Sequence, residues 1–213
     1  MGDTQSRLVG RDSELAFIEE FLDRTRPEPV LALAGDPGIG KSRLLRALHD
    51  AARARGHVAF SGRAAEFEGE LPFGAFTDAL DDWLVAQEQP RRAALAGALA
   101  QELASVFPAF EGLAAERQAS SPEERYRAYR AVRHLLGALA ADAPVVLILD
   151  DVHWADPGSV ELLVHLLAHP PAGRVLLALA FRPAQLPAPL DGALAAAARD
   201  HHALRLDVAP LSR

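Results

Sequence analysis

Val30-Leu31-Ala32-Leu33-Ala34-Gly35-Asp36-Pro37-Gly38-Ile39-Gly40-Lys41-Ser42 is the stretch whose reading decides the fold. Five apolar residues predict a buried strand, Gly35 to Gly40 a glycine-rich turn, and Lys41-Ser42 the opening of a helix. Gly35-x-x-x-x-Gly40-Lys41-Ser42 is the complete P-loop pattern. Its residue types answer a chemical need, because a polyphosphate requires many donors at short range. Glycines let backbone N–H groups approach phosphate oxygens without Cβ clashes. Gly35, Asp36, Pro37, Gly38, Ile39 and Gly40 are therefore the expected cradle, continued by Lys41, Ser42 and Arg43 at the positive end of the helix. Lys41 supplies a mobile charge for the β- and γ-phosphates, and the Ser42 hydroxyl is the expected protein ligand to Mg²⁺.

The context fits the motif. Over Ser42–Arg55, Leu44, Leu45, Leu48, Ala51 and Ala52 share one helical face, and Gly56 stands where a C-cap glycine belongs. Lys41 is also the only lysine of the chain; every other basic residue but histidine is arginine. The bulkier guanidinium fork replaces a compact ammonium poorly at such a position.

The 213 residues suffice for one α/β domain with a substantial core. A formal charge of −7 argues against direct contact of this segment with nucleic acid, which rests on basic patches. No cysteine is present, which excludes disulfides, thiolate zinc sites and a cysteine nucleophile, and fits a cytoplasmic protein. The apolar runs Val145–Leu149 and Val175–Phe181 are far too short to span a membrane. Met1-Gly2-Asp3-Thr4-Gln5-Ser6 matches the bare myristoylation pattern, read here as coincidence in a loose tail.

Along the chain, Asp12 is the expected N-cap of a first helix, with Glu14 near its positive end and Leu15, Ile18 and Leu22 on one face beside Phe17 and Phe21. Arg26-Pro27-Glu28-Pro29 ends it. His57–Gly62 reads as a second strand. Phe73, Phe76, Leu80, Trp83 and Leu84 follow helical spacing as a core-facing stripe, and Arg91–Val106 reads as one further helix. Ser121-Pro122-Glu123-Glu124 opens a helix with a capping box. That helix is expected to run to about Ala141, with Tyr126, Tyr129, Val132, Leu136 and Leu139 inward. Its arginines 125, 127, 130 and 133 read as a solvated face, unless one reaches the phosphates or a neighbouring domain.

Val145-Val146-Leu147-Ile148-Leu149-Asp150-Asp151 is the second chemical motif. A continuous apolar run rich in branched residues is what a parallel strand buried on both faces requires. Ending in two carboxylates, it is the Walker B arrangement, expected beside the P-loop strand. Asp150 is the candidate for holding Mg²⁺ through a water, and Asp151 for orienting or activating the attacking water. The plainer alternative is a strand that ends in an Asp-Asp turn. His153 reads as a packed or hydrogen-bonding residue, and Asp156 before Pro157 as the cap of a helix on which Val160, Leu163, Leu166 and Leu167 face inward. His165 and His169 stand four apart there, but no third zinc ligand is evident. Val175–Phe181 reads as a buried strand ending at Arg182. An arginine at such a strand end faces the ligand crevice and could reach a γ-phosphate; otherwise it points to solvent in a proline-rich loop. Asp191–His201 reads as a helix and Leu204–Val208 as a last strand.

With these residues placed, the sequence resembles the nucleotide-binding domain of STAND-type AAA-related ATPases, above all the N-terminal ATPase module of the large ATP-binding LuxR-type transcriptional regulators. The resemblance is carried by Leu8-Val9-Gly10-Arg11-Asp12-Ser13-Glu14, Gly35–Ser42, Leu147–Asp156, Phe181-Arg182-Pro183 and Leu206–Leu211. It implies a P-loop NTPase α/β sandwich over residues 1–213, with a parallel five-stranded sheet in the order 5-1-4-3-2, Val30–Ala34 central, and a helical insertion at about 66–141. It implies ATP or ADP with Mg²⁺ as ligands, Val9 and Arg11 as contacts to the adenine, and Arg182 as the sensor of the γ-phosphate. Members of that family switch between an ADP-bound closed state and an ATP-bound open state that assembles, with slow hydrolysis as the reset. Partners would be other domains or subunits of a regulator, with ATP-dependent self-association. A helical lid, winged helix, repeat-rich sensor and DNA-binding helix-turn-helix would follow Arg213 and are not in this sequence. Two other classes compete: a binding module that holds nucleotide without turnover, and an AAA+ motor using Arg199 as a finger toward a neighbouring subunit. Steady-state hydrolysis separates them: none, slow, or fast and dependent on protein concentration.

Overall fold

Five parallel strands form one sheet: β1 (Val30–Ala34), β2 (Val58–Arg63), β3 (Val145–Asp150), β4 (Val175–Phe181) and β5 (Ala203–Asp207), in the spatial order β2-β3-β4-β1-β5. This computed structural model describes residues 10–23, 29–66, 72–113 and 122–210. The helices are α1 (Asp12–Leu22), α2 (Lys41–Ala54), α3 (Gly74–Val85), α4 (Gln89–Ala96), α5 (Ala100–Ala104), α6 (Pro122–Leu139), α7 (Pro157–Ala168) and α8 (Ala188–Arg199). β1 and β4 are buried at every residue, as their unbroken apolar sequences require. The sheet separates two apolar layers. On one side α1 and α2 cover Leu31, Leu33, Val146, Ile148 and Ala178. On the other, α3 and α6–α8 cover Val30, Ala32, Leu147, Leu177 and Leu179. Alternate residues of each strand point to opposite layers, which is the period of two expected of a doubly covered sheet.

The expected strand order holds, and with it one expectation about neighbours falls. β3 does not lie beside β1, because β4 stands between them. The central strand is accordingly β4, and β1 is an interior strand paired with β4 and β5. A βαβ crossover can pass over an existing position, so strands adjacent in chemistry need not be adjacent in the sheet.

Local departures have local causes. The N-cap of α1 is Arg11 rather than Asp12, and no side chain caps it. The expected helix over Arg91–Val106 is broken into α4, a 3-10 turn at Gly97–Leu99 and α5. Gly97 takes φ +54° there, a conformation that interrupts an α-helix. Tyr126, expected inward on α6, is 51% exposed, whereas Tyr129, Val132, Leu136 and Leu139 are buried as predicted. Its ring instead meets His165 of α7 edge-on at 5.5 Å. Ser121, the cap expected for α6, lies outside the described residues. The C-cap expected after α2 is present: Gly56 N–H donates to Arg53 O at 3.0 Å and His57 N–H to Ala52 O at 3.0 Å, the paired bonds of a Schellman motif.

Gly62 shows how closely α3 sits on the sheet. A Cβ there would stand 2.2 Å from Ala75 O and 2.8 Å from Ala79 N, both backbone atoms of α3. Neither can yield without lifting the helix. Gly62→Ala is expected to destabilise the fold by at least about 1–3 kcal/mol, the range for overpacked sites. A thermal melt then shifts downward by roughly 2–4 °C per kcal/mol for a domain of this size. An unchanged melt would mean that α3 does not rest on β2 in solution.

Candidate functional site

The glycine-rich loop, Asp150, Asp151 and Arg182 all stand at one edge of the sheet, at the C-terminal ends of β1, β3 and β4. The register pairs Ala34 with Phe181 and Leu149 with Leu179, so Gly35, Asp151 and Arg182 emerge together. This is the edge at which open parallel sheets place their ligand crevice.

The glycine-rich loop leaves β1 at Gly35, whose N–H donates to Phe181 O at 3.3 Å. A Cβ on Gly35 would press against Ile39 Cγ2 and Val208 O, each at 3.1 Å, so the tight first turn tolerates little besides glycine. Gly40 heads α2 at φ +104°, which an L side chain rarely adopts, and no side chain caps the helix. With no side-chain cap among the described residues, the N-terminus of α2 turns its positive end to the crevice. Ser42 and Arg43 lie on the exposed side of the first turn.

Lys41 is only 6% exposed. Its Nζ donates to Gly35 O at 2.8 Å and Asp36 O at 2.9 Å, so the ammonium is curled into its own loop. Burial pushes this ammonium below its ordinary value; Asp151, Asp150 and Asp36 oppose the shift, and Arg182 adds to it. Asp150 Oδ1 accepts from Asp151 N at 2.8 Å. The Asp151 backbone is left-handed, φ +52°, an uncommon state for a non-glycine residue. Arg182 Nη1 donates to Gln185 Oε1 at 3.2 Å, while its buried Nε has no hydrogen-bond partner among the described residues.

The Arg182 Nε and the rim of uncapped N–H groups are what an anion would satisfy. The Asp150 carboxylate at the end of β3 and the exposed Ser42 hydroxyl in the first turn of α2 are the hard oxygen donors that suit Mg²⁺. The residues present therefore fit a magnesium–polyphosphate ligand.

Arg11 is 4% exposed and doubly engaged. Nη1 donates to Glu14 Oε1 at 2.6 Å and Nη2 to Ile39 O at 2.8 Å, which ties α1 to the glycine-rich loop. Val9, the other residue expected against an adenine, lies outside the described residues. Arg199 is exposed at the end of α8.

Two partnerships were not read from the sequence. Arg63, at the end of β2, donates from Nε at 3.0 Å and Nη2 at 2.6 Å to Asp151 Oδ2. The rule that singled out Arg182, a basic residue closing a parallel strand, also points to Arg63. Asp156 caps α7 through Ser159 N at 2.9 Å as expected. It also accepts from Phe73 N at 2.9 Å, Gly74 N at 3.1 Å and Ser159 Oγ at 2.6 Å. One buried carboxylate thus holds the starts of α3 and α7 together, 83 residues apart in sequence. His165 and His169 stack at 4.8 Å, and among the described residues no group of three or more His, Cys, Asp or Glu is placed to hold a metal.

Comparison with known proteins bears on the fold and the family. A curated relative, an uncharacterised protein of Rhizobium meliloti (strain 1021), is 30% identical over 177 aligned residues, covering 73% of this chain but 16% of that protein. Among solved structures, Cdc6p from Pyrobaculum aerophilum aligns with 96% of this chain and 47% of its own, with a TM-score of 0.52 at 19% identity. AMPPCP-bound DnaA from Aquifex aeolicus is a more distant likeness: 94% of this chain, 46% of its own, TM-score 0.43, 16% identity. The chain thus spans a sixth of the curated relative and about half of each of these structures. The family model described as the AAA ATPase domain matches residues 7–178, from the segment before α1 into β4, and the chain belongs to that family.

Proposed function

We propose that this chain is an ATP-binding, slowly ATP-hydrolysing switch domain of a signal-responsive regulator, transcriptional if the LuxR-type resemblance extends to the whole protein. One observation carries the reading: the end of β3 bearing Asp150 and Asp151 and the end of β4 bearing Arg182 open at the same sheet edge as the glycine-rich loop, which holds Lys41 at the start of α2. The backbone N–H groups of Gly35–Ser42 and the Lys41 ammonium would hold the phosphates. Ser42 and Asp150 would hold Mg²⁺, which would neutralise phosphate charge. Asp151 would orient water toward the terminal phosphate, and Arg182 would report its presence.

Arg63 supports slow rather than rapid turnover, since Asp151 is bound to a cation instead of standing ready for water. Arg11 is assigned to holding the loop through Ile39 O rather than to reading the base. The helices α3–α6 that lie between β2 and β3 are read as an insertion at about 66–141, and the partners as further domains or copies of the regulator. Titration calorimetry with ATP, ADP and GTP, with and without Mg²⁺, tests the binding. Expected is micromolar, Mg²⁺-dependent adenine nucleotide binding, with phosphate release that stays slow as protein concentration rises. Fast release that climbs with protein concentration would favour a motor, and none at all a binding module.

A further inference from the structure

The side chain of His153 is wholly enclosed, and among the described residues neither ring nitrogen has a hydrogen-bond partner. Buried polar groups are nearly always paired, so an imidazole unpaired at both nitrogens needs an explanation. The ring packs on Trp154 with centroids 5.2 Å apart, in the 3-10 turn Val152–Trp154 that directly follows Asp151. Nδ1 stands 3.9 Å from Asp151 Oδ1, about an ångström beyond a hydrogen bond. Burial holds the imidazole below its ordinary pKa, Asp151 and Asp150 oppose this, and Arg182 and Lys41 add to it. A neutral ring has one N–H to give. Both bonds from Arg63 end on Asp151 Oδ2, and Oδ1 is the oxygen nearest His153.

We propose that His153 is a positioning residue for Asp151: its Nδ1–H takes Oδ1 when the carboxylate leaves Arg63, so that the acid has two holding positions. The proposal rests on the reading that Asp151 acts on the attacking water. On Arg63 the carboxylate is neutralised by a cation and its Oδ2 is filled. On His153 a neutral donor fixes Oδ1, leaving the negative charge and Oδ2 for a water. Arg63 is 68% exposed, and an ion pair with one partner that exposed is screened and readily exchanged. The left-handed backbone at Asp151 places its side chain between the end of β2 and the His153 turn.

The test uses the full chain with nitrogen-15-labelled histidine and two kinds of readout. In Arg63→Ala without nucleotide, the Nδ1–H resonance of His153 is expected to move downfield as the bond to Asp151 forms, and this shift disappears when Asp151→Asn is added. In turnover, His153→Phe is expected to keep ATP affinity within about twofold while kcat falls on the order of ten- to a hundredfold, the range of one bond to a charged group. His153→Asn, whose amide nitrogen stands near the Nδ1 position, keeps most of the rate. A ring that only fills space gives the reverse order, an active Phe variant and a destabilised Asn variant, and overturns the proposal. An Nδ1 resonance identical in wild type and Arg63→Ala overturns it too, whether or not the chain hydrolyses ATP. A wild type that shows the resonance shift upon Arg63→Ala but no hydrolysis supports the His153–Asp151 contact and removes the hydrolytic reading instead.

Discussion

Asp151→Asn is expected to bind ATP about as tightly as wild type and to lose roughly two to four orders of magnitude in turnover, the usual contribution of a positioned acid–base group. The substitution keeps volume and leaves one oxygen to accept from Arg63, so the end of β2 stays anchored. It removes the negative charge that makes the group an acceptor for a water proton. Binding is spared because Asp151 is an anion facing a polyanionic ligand, so its loss relieves repulsion. Calorimetry for affinity and phosphate release for rate separate the two effects. Hydrolysis at the wild-type rate would reassign the water-positioning role to Asp150 or to a residue of another subunit.

Lys41→Ala is expected to act on the other quantity. Losing a charged hydrogen bond worth about 1.5–3 kcal/mol predicts a Kd weakened roughly 10- to 150-fold. The folded state should tolerate it. Among the described residues the ammonium bonds the carbonyls of Gly35 and Asp36, which water can satisfy once the side chain is gone. Phosphate oxygens would take those donors in exchange, so the loop releases the lysine as it accepts the ligand. Lys41→Arg should fare little better, because a position only 6% exposed leaves small room for a guanidinium fork. Undiminished ATP affinity in Lys41→Ala would sink the assignment of Gly35–Ser42 to phosphate binding.

The legible parts of the molecule share one property: each is written in a short window. β1, β3 and β4 appear as apolar runs, α2 as a helical stripe closed by Gly56, and the phosphate loop as spaced glycines before a lysine. Asp156 was legible as a cap because its partner Ser159 is three residues away. Errors arose where a window misled. Tyr126 has the right period for the α6 core face but sits at its edge, against His165. Gly97 divides what composition alone reads as one helix.

Sequence by itself determined the strands, the loop, the acids and the arginine that ends β4, because hydrophobic period, glycine spacing and charge at a strand end are local physical requirements. The tertiary structure decided who meets whom. Sheet order inserts β4 between the P-loop strand and the strand of Asp150. Packing brings Arg63 to Asp151 across 88 residues and the start of α3 to Asp156 across 83. It also encloses His153, without a hydrogen-bond partner among the described residues, beside the acid it can hold. Such pairings depend on loop closure and on the fit of whole helices against the sheet, and no short window of sequence encodes them.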